Sequence, residues 1–351
     1  MKNVVRLGQL PREKGVWSEE PSKSVYLNPL YKAEYFEVLI RDAEDVFSIH
    51  ASTTEIDSWS NSVGIGSYTD RIFENFSNPV KTFAGLPLNK PLIMGIVNAT
   101  PDSFSNGGRF DTADTGMQML YDGADLIDVG GESTRPGARC VDAEEEAGRV
   151  LPVVEELLHN GAVVSVDTRK SFVVAGAIQA GAQIINDVSA FTFDGDGLEY
   201  VSQTPQTAVI LMHSQGTPEH MQDAPSYDGP ASLEVFDYLS DRITACEKAG
   251  VFRNRICIDP GIGFGKTLSD NCEILSRLGM LKGLGCPLLL GVSRKSFIAA
   301  ASRNELSDFR LSGTISAEIT ALDKGADILR VHDVAETLQA VSVWRKTKEF
   351  E

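Results

Sequence analysis

Only five cysteines occur in 351 residues, an odd number, scattered from Cys140 to Cys286 and never spaced CxxC. That excludes a disulfide framework and the common thiolate zinc sites, and it predicts reduced thiols in a cytoplasmic protein. No apolar run approaches the roughly 20 residues of a membrane span. The first residues, MKNVVRLGQLPREKG, hold neither an apolar h-region nor a small-residue cleavage site, so neither a secretory signal nor a membrane role is expected. Positive charge is also scarce. Lys and Arg number 32 against 49 Asp and Glu, a net charge of −17. Residues 1–90 carry 10 basic and 12 acidic side chains, which leaves −15 on the remainder. An acidic body of that size argues against a general nucleic-acid surface, and an anionic ligand would have to be held by cations gathered locally.

Several signatures of catalysis are missing too. No GxGxxG follows residue 97, so the dinucleotide fingerprint is absent. Gly265-Lys266-Thr267 ends like a phosphate-cradling P-loop, but position 260, where that motif needs glycine, is Pro. His213, His220 and His332 lack HxxxH spacing and read better as satisfied or phosphate-facing histidines than as zinc ligands. There is no nucleophile elbow and no evident Ser-His-Asp arrangement, so covalent catalysis is not suggested.

What is present is ordinary for a globular enzyme: 42% hydrophobic and 23% charged residues, with length for a large core in one domain or two. From Pro91 onward short apolar runs alternate with amphipathic segments. The runs are 92–97, 125–129, 163–166, 183–185, 207–212, 256–258, 288–292 and 327–331; helical spacing marks 142–159, 170–180, 232–249, 269–282, 312–324 and 334–348. Eight strand–helix units in this length predict a (β/α)8 TIM barrel over 91–351, which typically takes about 250 residues. A doubly wound open sheet is the rival, with usually fewer strands.

Nearly every run ends in a polar or ionisable residue: Asn98, Asp128, Asp167, Asn186 with Asp187, His213, Asp259, Ser293 to Lys295, and Arg330 with His332. In a barrel these share the C-terminal rim, where active sites sit. Turn chemistry accounts for the Gly, Ser, Asn and Asp among them. It does not account for Lys295, Arg330 and His332, nor for carboxylates inside or directly after buried runs, since an unpartnered buried charge is costly. Of the two cations in GVSRKS (291–296), alternation from the strand assigns Lys295 to the site, and a helix starting near Ser296 would aim N–H groups at an anion. The loops PDSFSNGGR (101–109) and GGESTRPGAR (130–139) are polar and glycine-rich; glycine lets a backbone approach a ligand, and Arg135 offers a planar fork for phosphate or carboxylate. Asn98 and Asp102 suit Mg2+, which takes one or two protein oxygens plus phosphate and water.

Residues 1–90 fit the barrel rhythm poorly. They contain Trp17, Trp59 and apolar stretches near 35–40 and 45–49. The expectation is an N-terminal α+β extension of a couple of strands and one or two short helices, packing on the barrel. A small regulatory or oligomerisation element is an equal reading.

Together IMGIVNATPDSFSNGGRF (93–110), DLIDVGGESTRPGA (125–138), VSVDT (164–168), IINDVSA (184–190), LMHSQGTP (211–218), DPGIGFGKT (259–267), GVSRKSFI (291–298) and ILRVHDV (328–334) resemble the dihydropteroate synthases of the pterin-binding barrel family. They stand in the family's order and cover about 91–348. Ala99 replaces the more usual Val, and Ser214 stands where a Met often lines the pterin pocket. The resemblance implies a transferase that condenses 6-hydroxymethyl-7,8-dihydropterin diphosphate with p-aminobenzoate, with Mg2+ as cofactor, in a homodimer. It assigns Asp167, Asn186, Asp259 and Lys295 to the polar edge of the pterin, and Arg330 to its face and the phosphate. Asn98, His332 and Arg135 would hold diphosphate with Mg2+, which Asn98 and Asp102 would ligate. Thr134, Pro136, Phe104, Phe264 and Ser296 would shape the p-aminobenzoate pocket. Catalysis would rest on Asp102, Arg135, Lys295 and Arg330, with the first loop closing as a lid. A methyltetrahydrofolate-binding methyltransferase of the same barrel family should lack the PDSF loop, the Arg/His pair and SRKS. A silent pterin-binding paralogue should show damage at Asn98, Asp102, Thr134 or Arg135. All of these elements are intact.

Overall fold

The computed structural model describes residues 23–31, 34–42, 45–99, 109–133, 140–216, 220–221 and 225–350. Eight parallel strands form one sheet: β6 (Leu92–Asn98), β7 (Leu126–Gly130), β8 (Val164–Asp167), β9 (Ile184–Asp187), β10 (Ala208–Met212), β11 (Ile256–Asp259), β12 (Leu289–Leu290) and β13 (Ile328–Val331). Neighbours follow chain order from β6 to β11, and β13 pairs with both β6 and β12. A parallel bridge between Ile258 and Leu288, with Ile258 N donating to Pro287 O, brings β11 against β12 and closes the ring. The chain is a (β/α)8 barrel.

Strand alternation sorts the side chains into two cores. Ile93, Val97, Ile127, Val129, Val164, Val166, Val209, Leu211, Ile258 and Leu329 face outward onto the helices in the main cluster. Leu92, Met94, Leu126, Ile184, Ile210, Cys257, Leu289 and Ile328 fill the barrel interior in a second cluster, closed from below by Phe83. Phe83 comes from a small hairpin, β4 (Thr82–Phe83) with β5 (Leu86–Pro87). Both cores need apolar residues, so the strands read as nearly unbroken apolar runs.

The helices that follow the strands include α3 (Arg109–Tyr121), α4 (Ala143–His159), α5 (Ser171–Ala180), α6 (Asp196–Ser202), α7 (Ala231–Lys248), α8 (Leu268–Ser276), α9 (Ser296–Ala300), α10 (Leu311–Asp323) and α11 (Val334–Lys348). The segment 269–282 is not one helix, as its spacing suggests. Helix α8 ends at Ser276 and gives way to 3-10 turns over Leu278–Leu284. At Gly279 a Cβ would lie 3.1 Å from Pro29 and 3.2 Å from the Lys324 carbonyl, so the bare backbone is what lets neighbouring chain approach here.

Before the barrel come three antiparallel strands, β1 (Lys23–Tyr31), β2 (Tyr35–Asp42) and β3 (Asp45–Ser52), then α1 (Thr53–Val63) and α2 (Gly66–Ser77). Helix α1 starts in a capping box between Ser52 and Glu55 and ends at left-handed Gly64. One face of this sheet has its own core, with Val25, Leu27, Phe36, Val38, Ile40, Ile49, Ile56 and Ile72. On the barrel side, Tyr26 packs edge-on to Phe236 and its hydroxyl donates to Asp237 (2.8 Å), which also accepts from Arg41 (2.7 Å). Arg277 grips Glu37 through two hydrogen bonds of 2.7 and 3.0 Å. The sheet is therefore bolted to α7 and to the turn after α8. Among the described residues no helix is long and apolar enough to cross a membrane.

Candidate active site

The inward-facing parity that buries Leu126, Ile184, Cys257 and Ile328 places Asp128, Asn186, Asp259 and Arg330 two residues further along the same strands, inside the C-terminal mouth. Asp167 joins them through its register with Gly130 and Asn186. Arg330 Nε donates to Asp128 (2.6 Å) and Nη2 to Asp167 (2.8 Å), while Asn186 Nδ2 donates to the same Asp128 oxygen (3.1 Å). Asp259 accepts the backbone N–H of Gly261 at 2.7 Å. Lys295 donates to the Ile262 carbonyl and lies 4.7 Å over the Phe264 ring.

Lys295 reaches inward because the residue before it turns the chain. Arg294 sits at φ 58, in the left-handed region, with its N–H on Thr314 and its guanidinium outward on Asp333 and Asp308. Lys295 is then the half-buried residue preceding α9, and Ser296 is the exposed first residue of that helix. His332 follows β13, with Nδ1 3.0 Å from Ser293 Oγ. Asn98 is exposed at the end of β6. Asp102, Phe104, Thr134, Arg135 and Pro136 lie outside the described residues, as does the proposed lid.

Burial shapes the electrostatics. It pushes Asp167 up against the pull of Arg330, with Asp128 adding to the rise. Asp259 is likewise raised by burial, against the pull of Lys295. Burial lowers Lys295 to about 8, opposed by Asp259. The mouth thus holds three carboxylates, one amide and two cations within a water-poor cup. Such a set can address a flat ring that alternates donors and acceptors along its edge and carries an anionic tail.

Two rim residues face elsewhere. Asp187 caps the turn after its own strand, accepting from Ser189 N (2.7 Å) and Phe191 N (3.0 Å). His213 leaves β10 on the outward parity and pairs with Lys266. Asp128 belongs in the mouth but was not among the residues assigned a role from sequence. Its signal was an acid on the inward parity of an apolar strand.

The family model for pterin binding enzymes matches residues 94–332. Dihydropteroate synthase of Escherichia coli (strain K12) is 45% identical over 276 residues, 76% of this chain and 96% of that protein. A Xanthomonas albilineans dihydropteroate synthase solved with 4-aminobenzoic acid superposes with a TM-score of 0.71 at 44% identity, covering 76% of this chain and 96% of the other. A Xanthomonas albilineans structure in complex with 7,8-dihydropteroate gives 0.67 at 40% identity, with 76% and 96% covered. The chain belongs to the pterin binding enzymes and, among them, to the dihydropteroate synthases.

Proposed function

We propose that the protein joins 6-hydroxymethyl-7,8-dihydropterin diphosphate to p-aminobenzoate, giving 7,8-dihydropteroate and diphosphate, with the pterin seated in the barrel mouth. The observation that supports this seat is the set of buried Asp128, Asn186 and Asp259 with half-buried Asp167, beside Arg330 and Lys295. Asp167, Asn186 and Asp259 bind the amino-pyrimidine edge, where carboxylates match paired N–H donors. Lys295 meets a ring acceptor, and Arg330 lies against the ring face and reaches toward phosphate. His332, Asn98 and Arg135 hold the diphosphate. Phe264 and Ser296, with Thr134, Pro136 and Phe104, border the p-aminobenzoate.

The methylene C–O bond breaks first, and its electron pair leaves with diphosphate, drawn by the surrounding cations. The arylamine nitrogen attacks the methylene carbon, a C–N bond forms, and the nitrogen loses a proton. Asp102, on the first loop, helps exclude the water that would otherwise capture the cation. Mg2+ fits this seat as an ion held mainly by diphosphate and water. The described residues contain no group of three or more carboxylate, His or Cys side chains to cage a metal, and Asn98 offers one amide oxygen at the rim. When bound, Mg2+ offsets the charge developing on the leaving diphosphate.

The reading extends to a cytoplasmic homodimer. Five free cysteines support the compartment, and family membership carries the dimer, which sedimentation tests. For the reaction, purified protein is mixed with the dihydropterin diphosphate, p-aminobenzoate and Mg2+. Diphosphate release that depends on p-aminobenzoate is expected, and its absence overturns the assignment.

A further inference from the structure

Lys266 and His213 are buried ionisable side chains, 3% and 6% exposed, to which the reaction above gives no part. Lys266 Nζ donates to the His213 ring Nδ1 at 2.9 Å, to the Phe264 carbonyl at 3.0 Å and to the His213 carbonyl at 3.3 Å. His213 is fixed in turn. Its backbone N–H donates to the Asp259 carbonyl (3.0 Å), and its ring meets Tyr238 edge-to-face at 5.0 Å. Burial and the nearby Lys266 push the imidazole down to about 2, so the ring is neutral, and burial lowers Lys266 itself to about 7 against the pull of Asp259.

This contact joins two loops. The turn 259–267 is pressed against the segment after β10: a Cβ on Gly261 would come within 1.9 Å of the His213 carbonyl, and one on Gly265 within 2.4 Å of the Gln215 carbonyl. Both glycines have left-handed backbones, at φ 66 and 62. Tyr227 fastens the same turn by donating to the Gly265 carbonyl (2.8 Å). On its other side the turn presents the Ile262 carbonyl, which accepts from Lys295, and the Phe264 ring, which lies under the Lys295 ammonium. Whatever sets the turn therefore sets two of the neighbours of Lys295.

We propose that Lys266 and His213 are a positioning pair: by tying the Phe264 carbonyl to the end of β10, they hold the turn that places Phe264 for p-aminobenzoate. The inference rests on the reading that Phe264 borders the p-aminobenzoate. It differs from a purely structural role in what it perturbs. A displaced turn moves Phe264, whereas Asp259 stays on its strand, Lys295 stays on the separate loop anchored through Arg294 and Thr314, and Asp167 and Asn186 keep the pterin edge in place.

The test compares Lys266→Met, His213→Leu and His213→Gln in steady-state kinetics and in calorimetric titrations with each substrate. Lys266→Met and His213→Leu should raise KM for p-aminobenzoate and lower kcat, together about tenfold or more in kcat/KM, since small misplacements near reacting atoms are costly. Affinity for the dihydropterin diphosphate should stay within about threefold. His213→Gln keeps a hydrogen-bonding partner for Lys266 Nζ and should recover most of the loss. If Lys266→Met does not fold, the contrast between His213→Leu and His213→Gln decides the matter in the same way. Folded variants with wild-type constants overturn the proposal, as does an equal loss of affinity for both substrates. A wild-type protein that releases no diphosphate overturns the functional assignment instead, and the titrations with p-aminobenzoate still judge the pair.

Discussion

Asp128 is fully buried, and one of its carboxylate oxygens serves both Arg330 and Asn186 while the other has no partner among the described residues. A buried guanidinium needs such compensation, because removing one member of a buried ion pair strands the other. Arg330 would keep only Asp167 if Asp128 became neutral. Asp128→Asn should therefore lower unfolding free energy by about 2 kcal/mol, the scale of a hydrogen bond to a charged group. It should also weaken pterin binding by more than about tenfold. Urea denaturation and calorimetry check both, and a variant with wild-type midpoint and affinity would show that Asp167 alone holds the guanidinium. Sequence shows an acid inside an apolar strand, but its cation lies 202 residues away. Pairings across that separation have no local signature.

At the scale of elements, α10 and α11 meet over a buried acid. Glu318 accepts from Thr337 at 3.1 Å, its second oxygen has no partner among the described residues, and burial raises its carboxyl from 4.5 to about 8. The folded state thus keeps a proton that the unfolded chain releases above about 4.5. The stabilisation from this group is complete below that value and fades as pH rises through about 8. Glu318→Gln holds the neutral shape at every pH. It should match the wild type near pH 5 and exceed it at pH 9 by about 3 kcal/mol in urea unfolding; equal curves at both pH values would refute a buried neutral acid. Helices α4, α5, α7, α10 and α11 were legible from periodicity, whereas α3 and α6 were not marked by it. The break within 269–282 was not legible either, because it answers to the close approach of Pro29 and Lys324.

For the whole molecule, the question is how the N-terminal sheet joins the barrel. Burial works against the charged form of Glu37, yet hydrogen bonds from Arg277, Ser48 and Asn28 hold its carboxyl down at about 2. That stabilisation is fully present above the unfolded value of 4.5 and is lost as pH falls through about 2. Glu37→Gln should lower stability by about 3 kcal/mol at neutral pH, the cost of breaking a largely buried pair, with the difference shrinking in strong acid. A neutral-pH midpoint unchanged in guanidinium would mean that Tyr26, Arg41 and Asp237 carry the junction without it.

The sequence by itself determined the barrel and its sidedness. Eight apolar runs ending in polar residues encode strands buried on both faces with one reactive rim, because periodicity and burial are local properties of a chain. It also gave the order and identity of the motifs. The tertiary structure decided which rim residues share the mouth. Parity turns Asp187 and His213 outward and Asp128 inward, the left-handed Arg294 sends Lys295 into the cup, and Lys266 ties two loops that are 53 residues apart. Those outcomes depend on barrel closure, which brings distant strand ends within hydrogen-bond reach, and closure is a property of the whole ring rather than of any stretch within it.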